Sequence, residues 1–411
     1  MRHVLGLCVV LAALCAPPGA AAAELLVTAA RIHPAPGAAP IENGAVLVRG
    51  ERIVAVGPAA QVQAGADAVV VDAGDGTVLA GFWNSHVHFT QPEWAGAAGL
   101  PAARLQSQLR EMLVRHGFTS VVDTGSDVRD TAPLRARIES GEIAGPRIIT
   151  AMSPLFPPDG VPYYVRDSLP PELVSRLSQP STPDEAAAIV RANLAGEGDV
   201  VKLFTGSWVQ AGGPAKPMPV DIATAAVAEA HRHGALVFTH PSDVRGLEVA
   251  LASGVDVLAH SVEELDGFGP SHLQRMREHG MALVPTLKLF SVNPEPKLEA
   301  ILREVGDYQR LGGEIWFGTD VGYMDDHDPA LEFALLRRAG LSFEQILAAL
   351  TTAPASRLPG GEGRGRVEAG MIADLVVLEG DPARDPAAWT RVRQVFRGGT
   401  RIFDAAASPE R

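Results

Sequence analysis

Eight short apolar runs, separated by stretches of helical periodicity, constrain the fold of this chain more than any other feature. They are the segment 81–88, Ser120-Val121-Val122, Arg147-Ile148-Ile149-Thr150, Val200-Val201-Lys202-Leu203-Phe204, Leu236-Val237-Phe238-Thr239, Val257-Leu258-Ala259, Ala282-Leu283-Val284 and Ile315-Trp316-Phe317. Between them lie amphipathic segments such as 184–194 and 221–233. The second has Asp221 placed to cap its start and Gly234 to end it. Strands alternating with helices over residues 81–352 predict an α/β domain, a (β/α)8 TIM barrel. Pattern alone leaves a doubly wound open sheet as the rival.

The flanks read differently. Residues 24–80 carry short strands, with Ala45-Val46-Leu47-Val48 and Arg52-Ile53-Val54-Ala55-Val56 set apart as in a hairpin. Residues 353–411 return to strand character, clearest at 373–378 and 393–396. Neither flank alone can bury a good core, so the two together predict one small β-sandwich. The Pro-rich segment 154–183 reads as a long loop over the barrel mouth.

Residues 1–23 read as a signal peptide, apolar from Val4 to Cys15 and cut after Ala23, which implies a secreted or periplasmic protein. The run falls short of the roughly 20 residues a membrane span needs. Both cysteines, Cys8 and Cys15, lie in this leader. The mature chain therefore has no disulfide, cysteine ligand or cysteine nucleophile. Its formal charge of −13, from 35 basic and 48 acidic side chains, argues against nucleic acid and against an anionic membrane surface. The expected partner is a small-molecule substrate, and a homo-oligomer stays open.

Chemistry gathers where polar residues end the apolar strands, because the C-terminal strand ends of a barrel form its active-site rim. The first strand ends in His86-Val87-His88, whose two histidines point the same way. The fourth carries Lys202, the fifth ends in His240, the sixth in His260 and the eighth in Asp320. Each has a plainer explanation alone: a hydrogen-bonded histidine, a helix-capping Asp320, a Lys202 paired or reaching the surface. Five of eight strands bearing ligand-type residues at one end favour a metal site. His116, His231, His233, His272 and His279 fit structural or solvent roles. His327 follows Asp320 closely enough to touch a substrate.

The pattern resembles the amidohydrolase superfamily, and within it the imidazolonepropionase-related group that includes Xaa-Pro and Xaa-Arg dipeptidases. The resemblance rests on the opening strand 78–88 with its His-x-His pair, on 200–204, on Thr239-His240, on 254–260, on Gly318-Thr319-Asp320-Val321-Gly322 and on the closing segment 370–378. Ala80 stands where the family often has Pro, and Asn84 where it commonly has Asp; neither is a ligand.

The resemblance implies two divalent metal ions, with zinc expected and manganese or cobalt as substitutes. His86, His88 and Asp320 would bind one, His240 and His260 the other, and Lys202, N-carboxylated, would bridge them. A hydroxide between metals about 3.5–4 Å apart would attack an amide. Asp320 would be the general acid/base, and His260 would steady the oxyanion. The expected substrate is a dipeptide or N-acyl amino acid, with Arg166, Tyr163 and Tyr164 receiving its carboxylate or ring. The rival readings are a mononuclear cyclic-amide hydrolase of the imidazolonepropionase kind, a lactonase or organophosphate hydrolase on the same site, and a catalytically inactive binding protein.

Overall fold

The computed structural model describes residues 24–407. The leader expected over residues 1–23 lies outside them. All eight apolar runs contain strands, each parallel to its neighbours. Phe82–Val87, Phe118–Asp123 and Arg147–Thr150 make a three-stranded sheet in that order. Val201–Phe204, Val237–His240, Val257–Leu258, Ala282–Leu283 and Glu314–Ile315 make a five-stranded one, again in chain order. Backbone hydrogen bonds cross both gaps between these sheets. Leu155, just past the third strand, donates to the Lys202 carbonyl and accepts from the Phe204 amide, each at 2.9 Å. On the far side the Ser85 amide donates to the Phe317 carbonyl at 2.7 Å, and that of Asp320 to the His86 carbonyl at 2.9 Å.

Continuous apolar runs are buried on both faces of a strand. Trp83, Val122, Ile149, Val200, Phe238, Val257, Ala282 and Trp316, one from each strand segment, meet in a single apolar cluster. Adjacent residues such as Val121, Val201, Val237 and Leu283 point the other way. They join a larger core shared with the helices Ala102–Met112, Val220–Arg232 and Glu295–Arg310. Val220–Arg232 ends just before Gly234, whose φ of 70° a side chain would resist. Its start differs from expectation. Pro219 occupies the N-cap, and Asp221 sits in the first turn, where its charge suits the helix dipole and its Oδ1 accepts the Ile222 amide at 3.0 Å.

The two flanks combine. Thr400–Asp404, Val392–Arg397, Leu375–Leu378, Thr77–Ala80, Glu24–Ile32, Ile41–Arg49 and Arg52–Pro58 pair in that order within one eight-stranded sheet, which Val69–Asp72 completes. Two separate sheets were expected, but the hydrogen bonding is continuous. The reason lies in Glu24–Ile32, one edge of which is shared: Leu25 to Thr28 pair with Val69–Asp72, and Arg31 and Ile32 with Thr77–Ala80. Val27, Val46, Ile53, Val78, Leu375 and Phe396 belong to a cluster of the sheet's own. The segment 154–183 contains two one-turn helices, Tyr163–Arg166 and Pro171–Val174, and Leu155 and Phe156 anchor it to Leu203 and Ser178.

Candidate metal centre

The strand ends bring the expected ligands together. The Nε2 atoms of His86 and His88 lie 3.2 Å apart. Asp320 Oδ1 is 3.2 Å from the first and 3.1 Å from the second. The His260 ring stands 4.4 Å from that of His86 and 4.5 Å from that of His240. His86, His260 and Asp320 offer ligand atoms all within 4.8 Å of one another. Lys202, 2% exposed, holds its amine 5.4 Å from the centre of the Phe204 ring, and that ring stacks on His240 at 4.9 Å.

Hydrogen bonds decide where the imidazole protons sit. His86 Nδ1 lies 2.7 Å from the Ala259 carbonyl, and His88 Nδ1 2.7 Å from that of Gly125. A carbonyl only accepts, so each Nδ1 carries the hydrogen. His260 Nδ1 is 2.7 Å from the Thr286 hydroxyl, which donates its own hydrogen to the Pro285 carbonyl at 2.8 Å. His260 therefore donates as well. Each of the three rings thus turns its Nε2 inward. Asp320 Oδ1 faces them, 3.2 Å from the His86 Nε2 and 3.1 Å from the His88 Nε2. Unprotonated nitrogens such as those of His86 and His260 repel a buried carboxylate oxygen, and a divalent cation among them removes the conflict. The donor set fits a metal.

The electrostatics agree. Burial lowers His86 to about 4, and holds His240 and His260 well below the ordinary imidazole range. Burial alone would raise Asp320, but the His86 and His88 imidazoles outweigh it and keep the carboxyl well below the usual range. His88 is the exception. Burial lowers it, yet contact with Asp320 prevails and lifts it, so protons compete with a cation there. Burial also brings the Lys202 amine down to about 7. That amine makes no hydrogen bond or ion pair among the described residues, a costly position for a cation.

Residues outside the expected set hold the ligands in place. Asp123, fully buried, accepts from Ser126 Oγ at 2.6 Å, Thr150 Oγ1 at 2.9 Å and the Gly125 amide at 3.2 Å. It thereby sets the carbonyl that orients His88. Asn84 donates to Thr319 Oγ1 at 2.7 Å and accepts from the Thr319 amide at 3.2 Å, locking the first strand to the Asp320 segment. Gly322 has φ 100°, and a Cβ there would lie 1.8 Å from the His88 carbonyl oxygen. Asp320 and Thr286 take φ of 58° and 47°, unusual for residues with side chains and a form of strain that collects at working sites. Asp123 was within reach of sequence reading, one residue past the run at Val121-Val122. Nothing in the sequence singles out Thr286.

The expected substrate residues fare unequally. Tyr163 and Tyr164 have ring centres 5.5 Å apart, and Tyr323 joins Tyr164 at 5.6 Å. Arg166 is exposed and does not join them. Its Nε donates to Asp167 at 2.9 Å and its NH1 to the Val209 carbonyl at 3.2 Å. His327 has different neighbours. It lines a cleft with His116, Arg115, Arg391 and Arg393, to which none of the six ligand residues contributes. Lys288 causes this: its amine binds the Asp326 and Asp328 carbonyls, each at 2.7 Å, and fixes the loop around His327.

The sequence profile of the Amidohydrolase family matches residues 77–402. The chain belongs to the amidohydrolase family. A bacterial imidazolonepropionase-like composite domain also matches residues 44–65. An uncharacterized protein of Mycobacterium tuberculosis is 28% identical over 214 residues, 47% of this amidohydrolase and 56% of that protein. The chain thus spans about half the length of such relatives. Ochratoxinase of Aspergillus niger is 24% identical over 367 residues, 78% of this chain and 75% of its own. Among solved structures, a Xaa-Pro dipeptidase with bound methionine has a TM-score of 0.78 at 22% identity, covering 93% of this chain and 100% of that one. The A. niger ochratoxinase structure has 0.76 at 20%, covering 94% and 98%. Phenylurea hydrolase B has 0.75 at 22%, covering 94% and 98%. At such identities the likeness shows a shared fold.

Proposed function

We propose that this amidohydrolase is a metal-dependent hydrolase of amide C–N bonds. The observation that carries this reading is the convergence of three inward-turned imidazole Nε2 atoms and the buried Asp320 carboxylate. The two parallel sheets are read as arcs of one (β/α)8 barrel over residues 81–352, with 24–80 and 353–411 forming the accessory β domain. Hydrogen bonds across both gaps and the apolar cluster drawn from all eight strands support that architecture.

His86, His88 and Asp320 would hold one divalent ion, and His240 and His260 a second. Lys202 would serve both as a carbamate, formed when CO2 adds to its neutral amine and a proton leaves. That modification replaces an unpaired buried cation with an anion. Zinc matches the donors. Such ions supply Lewis acidity toward a carbonyl and let water act as a nucleophile near neutral pH. Asp320 would carry the proton from the attacking water to the leaving nitrogen at Oδ2, the oxygen not turned to the histidines. His260 would steady charge on the carbonyl oxygen. The first choice of substrate is a dipeptide or N-acyl amino acid, which the likeness to Xaa-Pro dipeptidase and ochratoxinase supports.

The test is a panel of dipeptides, N-acyl amino acids and lactones, run with metal-loaded and chelator-treated protein. Amide cleavage that disappears with the chelator and returns with zinc is expected. Fully loaded protein that cleaves no amide overturns the reading. A single-metal cyclic-amide hydrolase is the alternative, favoured by the imidazolonepropionase-like match and by the tight His86, His260 and Asp320 group. Two metal equivalents per chain would exclude it.

A further inference from the structure

Three of the chain's four tyrosines stand together, and one of them is bonded through its backbone to the candidate ligand Asp320. Tyr308, the fourth, is buried and donates its hydroxyl to the Met281 carbonyl. The phenols of Tyr163, Tyr164 and Tyr323 make no hydrogen bond among the described residues. Tyr323 is 48% exposed. Its ring meets that of Tyr164 at 62°, and Tyr164 meets Tyr163 at 80°. Edge-to-face rings of this kind leave faces free for another ring.

The trio is tied to both sides of the site. Tyr323 follows Asp320 by three residues, and its amide donates to the Asp320 carbonyl at 3.2 Å. Lys288 holds the loop beyond it, and Glu332 fixes Lys288 by accepting its amide at 2.7 Å. Tyr163 donates its amide to the Trp208 carbonyl at 2.8 Å, in the segment that follows the Lys202 strand. Arg166 clamps the same short helix to Val209. Phe156 packs on Phe204 at 4.6 Å and Phe204 stacks on His240, so a second aromatic surface reaches the histidines.

We propose that Tyr163, Tyr164 and Tyr323 form the recognition wall of this site, and that the substrate carries an aromatic ring next to its scissile amide. The assignment rests on the amide-hydrolase reading and names its substrate class. Against such a wall, an aromatic ring gains a stacking contribution that an aliphatic ring of similar size lacks.

Two matched pairs of amines, which hold no cleavable amide, separate recognition from hydrolysis. N-benzylglycine against N-(cyclohexylmethyl)glycine probes one flank, and N-ethylphenylalanine against N-ethylcyclohexylalanine the other. Calorimetry on the metal-loaded full chain should show the aromatic member of at least one pair binding about tenfold tighter. Tyr164→Leu with Tyr323→Leu should shrink that preference below about twofold, while the corresponding Phe pair keeps it. Equal affinity for both members of each pair in the unmodified protein overturns the proposal. So does a preference that survives both leucines. Should the double variant fail to fold, Tyr323→Leu alone decides, because that ring is half exposed. The binding result stands whether or not amide cleavage is found, and failed cleavage counts only against the hydrolase reading.

Discussion

His260 and Thr286 share one hydrogen, and it sits on the imidazole. The threonine has already given its own to the Pro285 carbonyl. Thr286→Val keeps the β-branched shape in the same backbone conformation but removes the acceptor. Metal affinity should fall about 10–100-fold, as it does when outer contacts to a ligating histidine are lost. Thr286→Ser should stay near the parent. Competition with a chromogenic chelator reads both, and an unchanged affinity for the Val variant would remove the hydroxyl from any role.

Asp320→Asn preserves size and loses the basic oxygen. Turnover should drop about 10²–10⁴-fold, the usual contribution of a positioned acid or base. At least one metal ion should remain bound. Metal content and rate measured on the same preparation test this, and an active Asn variant would take the proton from Asp320.

Lys202 should give a carbamate signal in carbon NMR after exchange with labelled bicarbonate. Lys202→Met, of similar length and without charge, should lack that signal, bind less metal and lose at least about 10²-fold in activity. A fully metallated, active Met variant would sink the bridging role.

Glu304 supplies a pH test away from the ligands. Its Oε1 accepts the Val262 amide at 3.3 Å, and its Oε2 has no hydrogen-bond partner. Burial raises the carboxyl to about 8. Unfolded chain releases this proton near pH 4.5, while the folded protein keeps it until about pH 8. Each rise in pH across that window therefore withdraws stability, which is fully present only below it. Glu304→Gln should flatten the dependence of the denaturation midpoint on pH. A slope identical to the parent's would show that Glu304 does not hold its proton.

The strands and the candidate ligands were legible because both follow from simple periodicities. Apolar runs mark buried strands, and one polar residue at the end of each marks a rim. His86, His88, Lys202, His240, His260 and Asp320 were visible on that ground alone. What faces the ligands from behind was not. Ala259 and Gly125 act through carbonyls, which every residue has, and Thr286 acts through a turn that no pattern announces. For Arg166 and His327 sequence alone could not go further, because sequence distance from a site says nothing about direction. A neighbouring carboxylate and backbone carbonyl take Arg166, and Lys288 draws the loop of His327 aside.

The sheet built from both flanks sets a timetable for synthesis. Thr77–Ala80 pairs with Leu375–Leu378, so an early strand keeps a bare edge until almost all the chain has left the ribosome. Such distant closure is slow, and exposed edges invite wrong pairings meanwhile. That edge is covered only when Leu375–Leu378 arrives, and Val392–Arg397 with Thr400–Asp404 then extends the sheet outside it.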